Sequence, residues 1–310
     1  MSYFITGGTG FIGRHLIQKL LARPGTIHVL VRKSSKDKFD ALLAQMGFDP
    51  KRVVAVYGDL GKPRLGLSPT QVKQLAGKVK HLFHLAAIYD LTADEESQIR
   101  ANVDGTKHAM QLGVAVKAGC FHHVSSIAAA GLYPGVFKED MFDEAEGLDD
   151  PYFRTKHDSE GMVRREYPRP YRIYRPAIVL GHSQTGEIDK IDGPYYFFRL
   201  IKRMRALLPQ WVPTIGIEGS RLNMVPVDYV ADAMDWIAHK PGLDGHCFHL
   251  TDPAPQRVGE ALNTFARAAN APQMTMRVDA RMFAFVPPMV RGAIFNLPPV
   301  KRFTNMMLRD

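Results

Sequence analysis

Cysteine is scarce in this chain. Cys120 and Cys247 are the only two among 310 residues. That is too few for a disulfide framework, and a reducing cytoplasm fits better than secretion. No run of about 18 apolar residues occurs, so no transmembrane segment is expected. No leader is expected either, because Met1 runs directly into Tyr3-Phe4-Ile5-Thr6, which reads as a strand. Charge of one sign is never blocked into a tract. The net charge is +9, yet Lys and Arg are scattered, which argues against a nucleic-acid tail. A phosphorylated small molecule suits that excess, and so does a mildly basic surface with no partner. Metal-ligand spacing is missing as well. His84 lies in an apolar run with no second His, Cys or carboxylate at ligand distance, so it reads as a hydrogen-bonded core histidine and no metal is expected.

What is present suits a globular protein of one large domain or two, with 45% hydrophobic and 23% charged residues. The chain opens as strand, glycine turn and helix. Gly7, Gly10 and Gly13 form a Gly-x-x-Gly-x-x-Gly pattern between the strand and a helix running to Leu20 and Ala22. Glycine allows the tight turn and lets backbone approach a pyrophosphate, and the helix offers free N–H groups to that anion. A second strand, Ile27 to Val31, ends at Arg32-Lys33-Ser34-Ser35. No acid stands there to hold a ribose 2′-hydroxyl and repel a 2′-phosphate. A guanidinium binds phosphate oxygens, so NADPH is expected over NADH.

Strands at Val53–Tyr57, His81–Ala87 and Phe121–Val124 alternate with helices, one over Asp37–Met46 and a long one over about Ala93–Ala118. This alternation predicts a doubly wound parallel α/β sheet. Asp59 follows the third strand, where it either accepts from the adenine amino group or caps a local turn. Gly105, inside the long helix, costs about 1 kcal/mol relative to Ala and points to close packing against a neighbour. Ser125 and Ser126 stand at the carboxyl end of the fifth strand, where open parallel sheets bind ligands.

Asp150 and Pro151 form a helix start, as N-cap and first helical residue. Tyr152 and Lys156 follow four residues apart, on one face of that helix. An ammonium beside a phenol favours the phenolate, so Tyr152 is positioned to exchange a proton with a carbonyl or alcohol oxygen. The spacing alone also fits a surface Tyr and Lys.

Together, Gly7-Gly8-Thr9-Gly10-Phe11-Ile12-Gly13, His84-Leu85-Ala86-Ala87, Asn102-Val103-Asp104-Gly105-Thr106, Ser125-Ser126, Tyr152-x-x-x-Lys156 and Tyr174-Arg175-Pro176-Ala177 resemble the extended short-chain dehydrogenase/reductase family, in order and spacing. The resemblance covers essentially the whole chain. It implies a Rossmann domain over 1–180 and 222–252, and a smaller substrate-binding subdomain over 181–221 and 253–310. It implies Ser126, Tyr152 and Lys156 as the catalytic set, with Ser125 the second choice for the hydroxyl. Cofactor contacts are implied for Gly7, Thr9, Gly10, Phe11, Ile12, Gly13, Arg32, Asp59, Leu60, Ala86, Tyr152, Lys156 and Pro176. Asn102 is implied either in a water relay to Lys156 or in an ordinary helix hydrogen bond.

The segments Glu187–Phe198 and Leu208–Pro213, with His81–Asp90 and the stretch from Gly131 to Asp143, look like the N-terminal reductase part of bacterial alcohol-forming fatty acyl-CoA reductases. That implies reduction of a long-chain fatty aldehyde, a fatty acyl-CoA, or both, with a second reductase domain following. Met274, Met276, Met282, Phe283, Phe285, Pro287, Pro288 and Met289 either line an adaptable apolar pocket or form ordinary core. Two other readings remain. One is a sugar-nucleotide epimerase or dehydratase of the same extended family. The other is a non-catalytic NADP(H)-binding protein.

Overall fold

The structure, a computed structural model, describes residues 2–87, 95–189, 193–218 and 221–279. Ile88 to Asp90, Lys190 to Asp192, Ser220 and the residues from Met282 to Met289 lie outside the described residues, as does the side chain of Met276.

In chain order the elements are β1 (Ser2–Thr6), α1 (Phe11–Leu20), β2 (Thr26–Val31), α2 (Lys36–Met46), β3 (Val53–Tyr57), α3 (Pro69–Leu75), β4 (Val79–His84), α4 (Glu95–Gln98), α5 (Gly105–Ala115), β5 (Cys120–Val124), α6 (Pro151–Glu166), β6 (Tyr171–Pro176), β7 (Ile178–Leu180), α7 (Phe197–Leu207), β8 (Thr214–Glu218), β9 (Arg221–Leu222), β10 (Met224–Pro226), α8 (Val227–His239), β11 (Cys247–Leu250), β12 (Gln256–Arg257), α9 (Val258–Ala268) and β13 (Met274–Asp279). The chain divides into two compact units. One holds Met1–Glu187 and Val225–Thr251, and the other holds Ile188–Met224 and the chain from Asp252 on.

The first unit is built on a seven-stranded sheet in the order β3-β2-β1-β4-β5-β6-β11, every pairing parallel. This is the doubly wound Rossmann fold expected from the strand–helix alternation. Strand side chains alternate between two apolar layers. Tyr3, Ile5, Val29 and Val31 pack with Leu16, Ile17, Met234 and Ile237 of α1 and α8. Phe4, Leu82, Phe121 and Ile173 pack on the other face with Ala109, Leu112 and Val163 of α5 and α6. A fully buried Leu, Ile or Phe side chain contributes about 1.5–3 kcal/mol, so these two layers hold the sheet ends in place.

Strand order reverses between β1 and β4. The crevice outside the carboxyl ends at such a switch point is where this architecture binds ligands. The turns after β1, β4 and β5, and the end of β6, converge there.

Two elements differ from the sequence expectation. β4 ends at His84, and Leu85–Ala87 leave the strand. The long helix is also not uniform: a π-helical segment, Ile99–Asp104, separates α4 from α5. Such widened turns often mark functional positions, and this one carries Asn102. Gly105 sits just past it because Leu60 lies against the helix; a Cβ on Gly105 would come 2.8 Å from Leu60 Cγ.

In the second unit, β8 pairs with β13 in parallel and β9 with β12 antiparallel. α7 and α9 meet through Phe198 and Phe265, with ring centroids 5.3 Å apart. Among the described residues no helix is long and apolar enough to cross a membrane.

Candidate active site

The glycine turn follows β1. Gly7 has φ of +72°, and a Cβ there would stand 2.7 Å from the Ala86 nitrogen. Only glycine fits, because the turn lies directly on the backbone after β4. A Cβ on Gly13 would stand 2.2 Å from the Gly7 carbonyl oxygen, so α1 starts in close contact with the turn. Gly10 is the N-cap of α1 and offers no side-chain cap; the first turn of the helix carries no acid. The positive end of this helix is therefore left uncompensated by any side chain of its own first turn. Thr9, Phe11 and Ile12 are half-buried at this turn, and the Phe11 ring lies 5.2 Å below the Arg14 guanidinium carbon.

Arg32 stands at the exposed end of β2. Its guanidinium makes no hydrogen bond or ion pair among the described residues. One carboxylate oxygen of Asp59 accepts from the Gly61 N–H at 3.0 Å, so Asp59 does cap a local turn. Its other oxygen has no protein partner among the described residues. The Leu60 carbonyl accepts from His108 Nδ1 at 2.9 Å. Pro176, buried, ends β6 beside Leu250.

A continuous hydrogen-bond chain runs under this crevice. The Ala86 N–H donates to Thr6 Oγ1 at 3.2 Å, and Thr6 Oγ1 meets His84 Nδ1 at 2.8 Å. His84 Nε2 meets Thr106 Oγ1 at 3.1 Å, and Thr106 donates its hydroxyl proton to the Asn102 carbonyl at 2.6 Å. A hydroxyl has one proton, so His84 must donate from Nε2 and accept at Nδ1. Burial holds the His84 pKa well below its usual value, reinforced by His123 and Lys156. The ring is thus a neutral structural link, in keeping with its reading as a core histidine. From Asn102 the chain continues through Nδ2 to Thr155 Oγ1 at 3.2 Å, and from Thr155 to the Tyr152 carbonyl at 3.2 Å.

α6 starts as expected. Asp150 is its N-cap and accepts from the Tyr152 N–H at 2.8 Å, with Pro151 in first position. Tyr152, Thr155, Lys156, Ser159, Glu160 and Val163 are its buried stripe. Tyr152 and Lys156 are 6% and 5% exposed, which excludes the reading of two surface side chains. Lys156 Nζ donates to the Val124 carbonyl at 3.4 Å. No other protein acceptor meets this ammonium among the described residues. Burial brings its pKa down to about 8, and the nearby Glu160 carboxylate opposes that fall.

The two serines are sharply distinguished. Ser125 is buried and donates its hydroxyl proton to Glu160 Oε2 at 2.7 Å. Ser126 is half-buried and caps a short turn, accepting from the Ala128 N–H at 3.2 Å. Its own proton has no protein acceptor among the described residues.

Glu160 was not singled out from the sequence. It is fully buried, held by Arg175 through Nε at 3.0 Å and Nη2 at 2.6 Å, and by Arg164 Nε at 2.9 Å. Burial raises its pKa, but the Arg175, Arg164 and Ser125 contacts more than offset this and hold the carboxyl ionised. Removing one partner of a buried pair costs about 3–5 kcal/mol. The signal that could have found Glu160 was its position: four residues past Lys156, it extends the Tyr-x-x-x-Lys stripe by one more turn.

This arrangement of glycine turn, serine hinge and Tyr–Lys helix on a parallel sheet agrees with a family match. The model of an NAD-binding family described as Male sterility protein matches residues 5–234. The chain belongs to this family. Family membership makes the first unit a nicotinamide-dinucleotide-binding domain of the extended short-chain dehydrogenase/reductase type. The chain is 31% identical over 298 residues to the nonribosomal peptide synthetase FrzA of a Cladobotryum species, covering 87% of this chain and 28% of that protein. It is 29% identical over 271 residues to the aldehyde reductase lnbA of Aspergillus flavus, covering 81% and 26%. The terminal R domain of the myxalamid PKS-NRPS pathway superposes with a TM-score of 0.79 at 25% identity, covering all of this chain and 80% of that one. The chain spans little more than a quarter of the length of FrzA and lnbA.

The residues present fit a dinucleotide. The turn has no room for a Cβ at Gly7 or Gly13, α1 has no side-chain cap at its N-terminus, and Lys156 holds a buried ammonium with, among the described residues, a single long hydrogen bond.

Proposed function

We propose that the chain is an NADPH-dependent reductase acting on a long-chain acyl thioester, on the aldehyde derived from it, or on both. The single observation that carries this reading is the pairing on α6. A tyrosine and a nearly buried lysine share one stripe, beside a serine whose proton is uncommitted.

The dinucleotide, when bound, supplies hydride to the carbonyl carbon. The protein's side chains do the remaining work. Gly7, Thr9, Gly10, Phe11, Ile12 and Gly13 form the turn that takes the pyrophosphate, with Asp59, Leu60, Ala86 and Pro176 along the rest of the dinucleotide. Arg32 meets the 2′-phosphate, which is the basis for NADPH over NADH. The Lys156 ammonium would hold the ribose hydroxyls with the donors that no described residue takes up. Ser126 donates its free proton to the substrate oxygen and stabilises the charge developing there. Tyr152 delivers a proton to that oxygen, and the Lys156 charge lowers the cost of the phenolate left behind. With a thioester, the first reduction gives a hemithioacetal that collapses to aldehyde and thiol.

The fatty acyl character rests on the resemblance of Glu187–Phe198 and Leu208–Pro213 to fatty acyl-CoA reductases. In that reading the second unit is the substrate-binding subdomain. A second reading has a specific support. FrzA is a peptide synthetase and the myxalamid structure a terminal R domain, which favours a thioester presented by a carrier domain of the same polypeptide. The deciding experiment is NADPH oxidation by this chain with a long-chain fatty aldehyde, the matching acyl-CoA, and the same acyl group on a carrier-domain phosphopantetheine. Turnover of the aldehyde or the acyl-CoA supports the fatty acyl reading. Turnover of the carrier-bound form alone replaces it with the second. NAD that copurifies, with no turnover of any of the three, contradicts both.

A further inference from the structure

Three separate parts of the proposed site end on one carboxylate. Glu160 Oε2 accepts from Ser125 at 2.7 Å, the residue directly before Ser126. Both of its oxygens are gripped by Arg175, the residue directly before Pro176 at the end of β6. Glu160 itself is one helical turn beyond Lys156, on the buried stripe of α6. Arg175 is fastened in turn, through the Lys138 and Met141 carbonyls at 3.3 and 2.9 Å. His157 Nδ1 adds a second tie, donating to the Ala129 carbonyl at 3.0 Å in the turn that Ser126 caps.

We infer that Glu160 is a positioning residue that fixes the serine hinge, the Tyr152–Lys156 helix and the end of β6 relative to one another. The inference rests on the reading of Ser126, Tyr152 and Lys156 as the reacting set. It assigns Glu160 no contact with substrate or cofactor. A fully buried carboxylate satisfied on both oxygens is rigid in a way that a solvent-exposed tie is not. The parts it joins come from three elements that are not otherwise covalently close, and a misplacement of about 1 Å in such a set can cost roughly a hundredfold in rate.

The same carboxylate sets the local charge. The charged and titratable groups that act with Lys156 are Glu160 on α6, His84 on β4 and His123 on β5, and Arg164 stands by Glu160 and His123. Around Glu160 stand Arg164 and Arg175, with Cys247, His249 and Glu139 beyond. The histidines are neutral, because burial lowers His84 and His123. Neutralising Glu160 therefore leaves Lys156, Arg164 and Arg175 as like charges, and Lys156 must lose its proton at lower pH.

The test compares Glu160→Gln, Glu160→Asp and Ser125→Ala. Lys156 is followed by NMR of labelled lysine ε-methylene groups, assigned with Lys156→Met, alongside kcat and KM. In the wild type Lys156 is expected to titrate near pH 8, where burial brings its pKa. In Glu160→Gln it is expected at least one unit lower, roughly a tenfold change in its protonation ratio. Ser125→Ala and Glu160→Asp keep the charge, and Ser125→Ala also keeps the ion pair. Both are expected to lower kcat roughly tenfold with KM for NADPH held within about twofold. If Glu160→Gln does not fold, these two variants carry the test. An unmoved Lys156 titration in folded Glu160→Gln overturns the charge role. An unchanged kcat in both Ser125→Ala and Glu160→Asp overturns the positioning role. Full turnover by Tyr152→Phe would instead sink the catalytic reading, and the Lys156 titration would still decide what Glu160 does.

Discussion

Lys156 and Val124 meet at the carboxyl end of β5, where the buried ammonium donates to the Val124 carbonyl at 3.4 Å. Among the described residues that single long bond is all that meets a cation that is 5% exposed. Its depressed pKa makes it a pH sensor for the site. Burial brings it to about 8 from 10.5, against the pull of Glu160. Reduction needs the charged form, since the ammonium stabilises the Tyr152 phenolate left after proton transfer. The kcat for carbonyl reduction is therefore expected to fall as pH rises through about 8. Lys156→Met should be slow and lack this limb. A pH–rate profile flat to pH 10 in the wild type would contradict the role.

Ser126 and Ser125 are separable by mutation. Ser126→Ala removes a donor from the substrate oxygen and is expected to lower kcat by roughly 10²-fold, the scale of losing one oxyanion donor. Thermal stability should stay close to wild type, because its remaining bond is a single N–H contact from Ala128. Steady-state kinetics with a melting curve checks both. A Ser126→Ala enzyme with wild-type kcat would move the hydroxyl role elsewhere.

Arg32 is a test of cofactor choice. Its exposed guanidinium lacks a protein partner among the described residues, so Arg32→Ala should cost little stability. Charge-assisted hydrogen bonds to phosphate are worth about 1.5–3 kcal/mol. NADPH binding is expected to weaken by about 10- to 100-fold while NADH binding barely changes. Fluorescence titration with both nucleotides reads this directly. Equal losses for the two would remove the 2′-phosphate assignment.

Acid stability follows from the buried histidines. Burial lowers His81 to about 4 and His123 to about 3, from 6.5 in the unfolded chain. The unfolded state therefore takes up protons first as pH falls. Their contribution is fully present above pH 6.5 and is lost from 6.5 down to about 4 for His81 and about 3 for His123, at about 1.4 kcal/mol per pH unit for each group. Among the described residues neither ring nitrogen of His123 has a hydrogen-bond partner. His123→Leu should accordingly flatten the stability-versus-pH slope by one proton. Urea midpoints at pH 7, 6 and 5 measure it, and an unchanged slope would contradict the burial argument.

The parts of the fold that were legible in the sequence are those set by local chemistry. Gly7 and Gly13 declared the turn because no other residue fits it. Asp150-Pro151 declared the start of α6, and the spacing of Tyr152 and Lys156 put both on one face of it, although only the structure shows that face to be buried. Gly105 announced a close neighbour but not its name, since Leu60 is 45 residues away in sequence. The π-helical turn at Asn102 left no compositional mark. Asp59 stayed ambiguous because a turn cap and an adenine contact ask for the same residue; the structure shows the turn cap, through the Gly61 N–H. Glu160 and Arg175 were missed as a pair because they belong to different elements, joined by packing and not by spacing.

The most direct test of the central proposal is Tyr152→Phe. The ring, its packing and the helix start remain, and only the hydroxyl is lost. The expected result is a fall in kcat of about 10²- to 10⁴-fold, the range for a general acid, with NADPH affinity and melting temperature near wild type. A folded Tyr152→Phe protein that binds NADPH and reduces its aldehyde or thioester at the wild-type rate would contradict the assignment of the proton donor, and with it the mechanism built on α6.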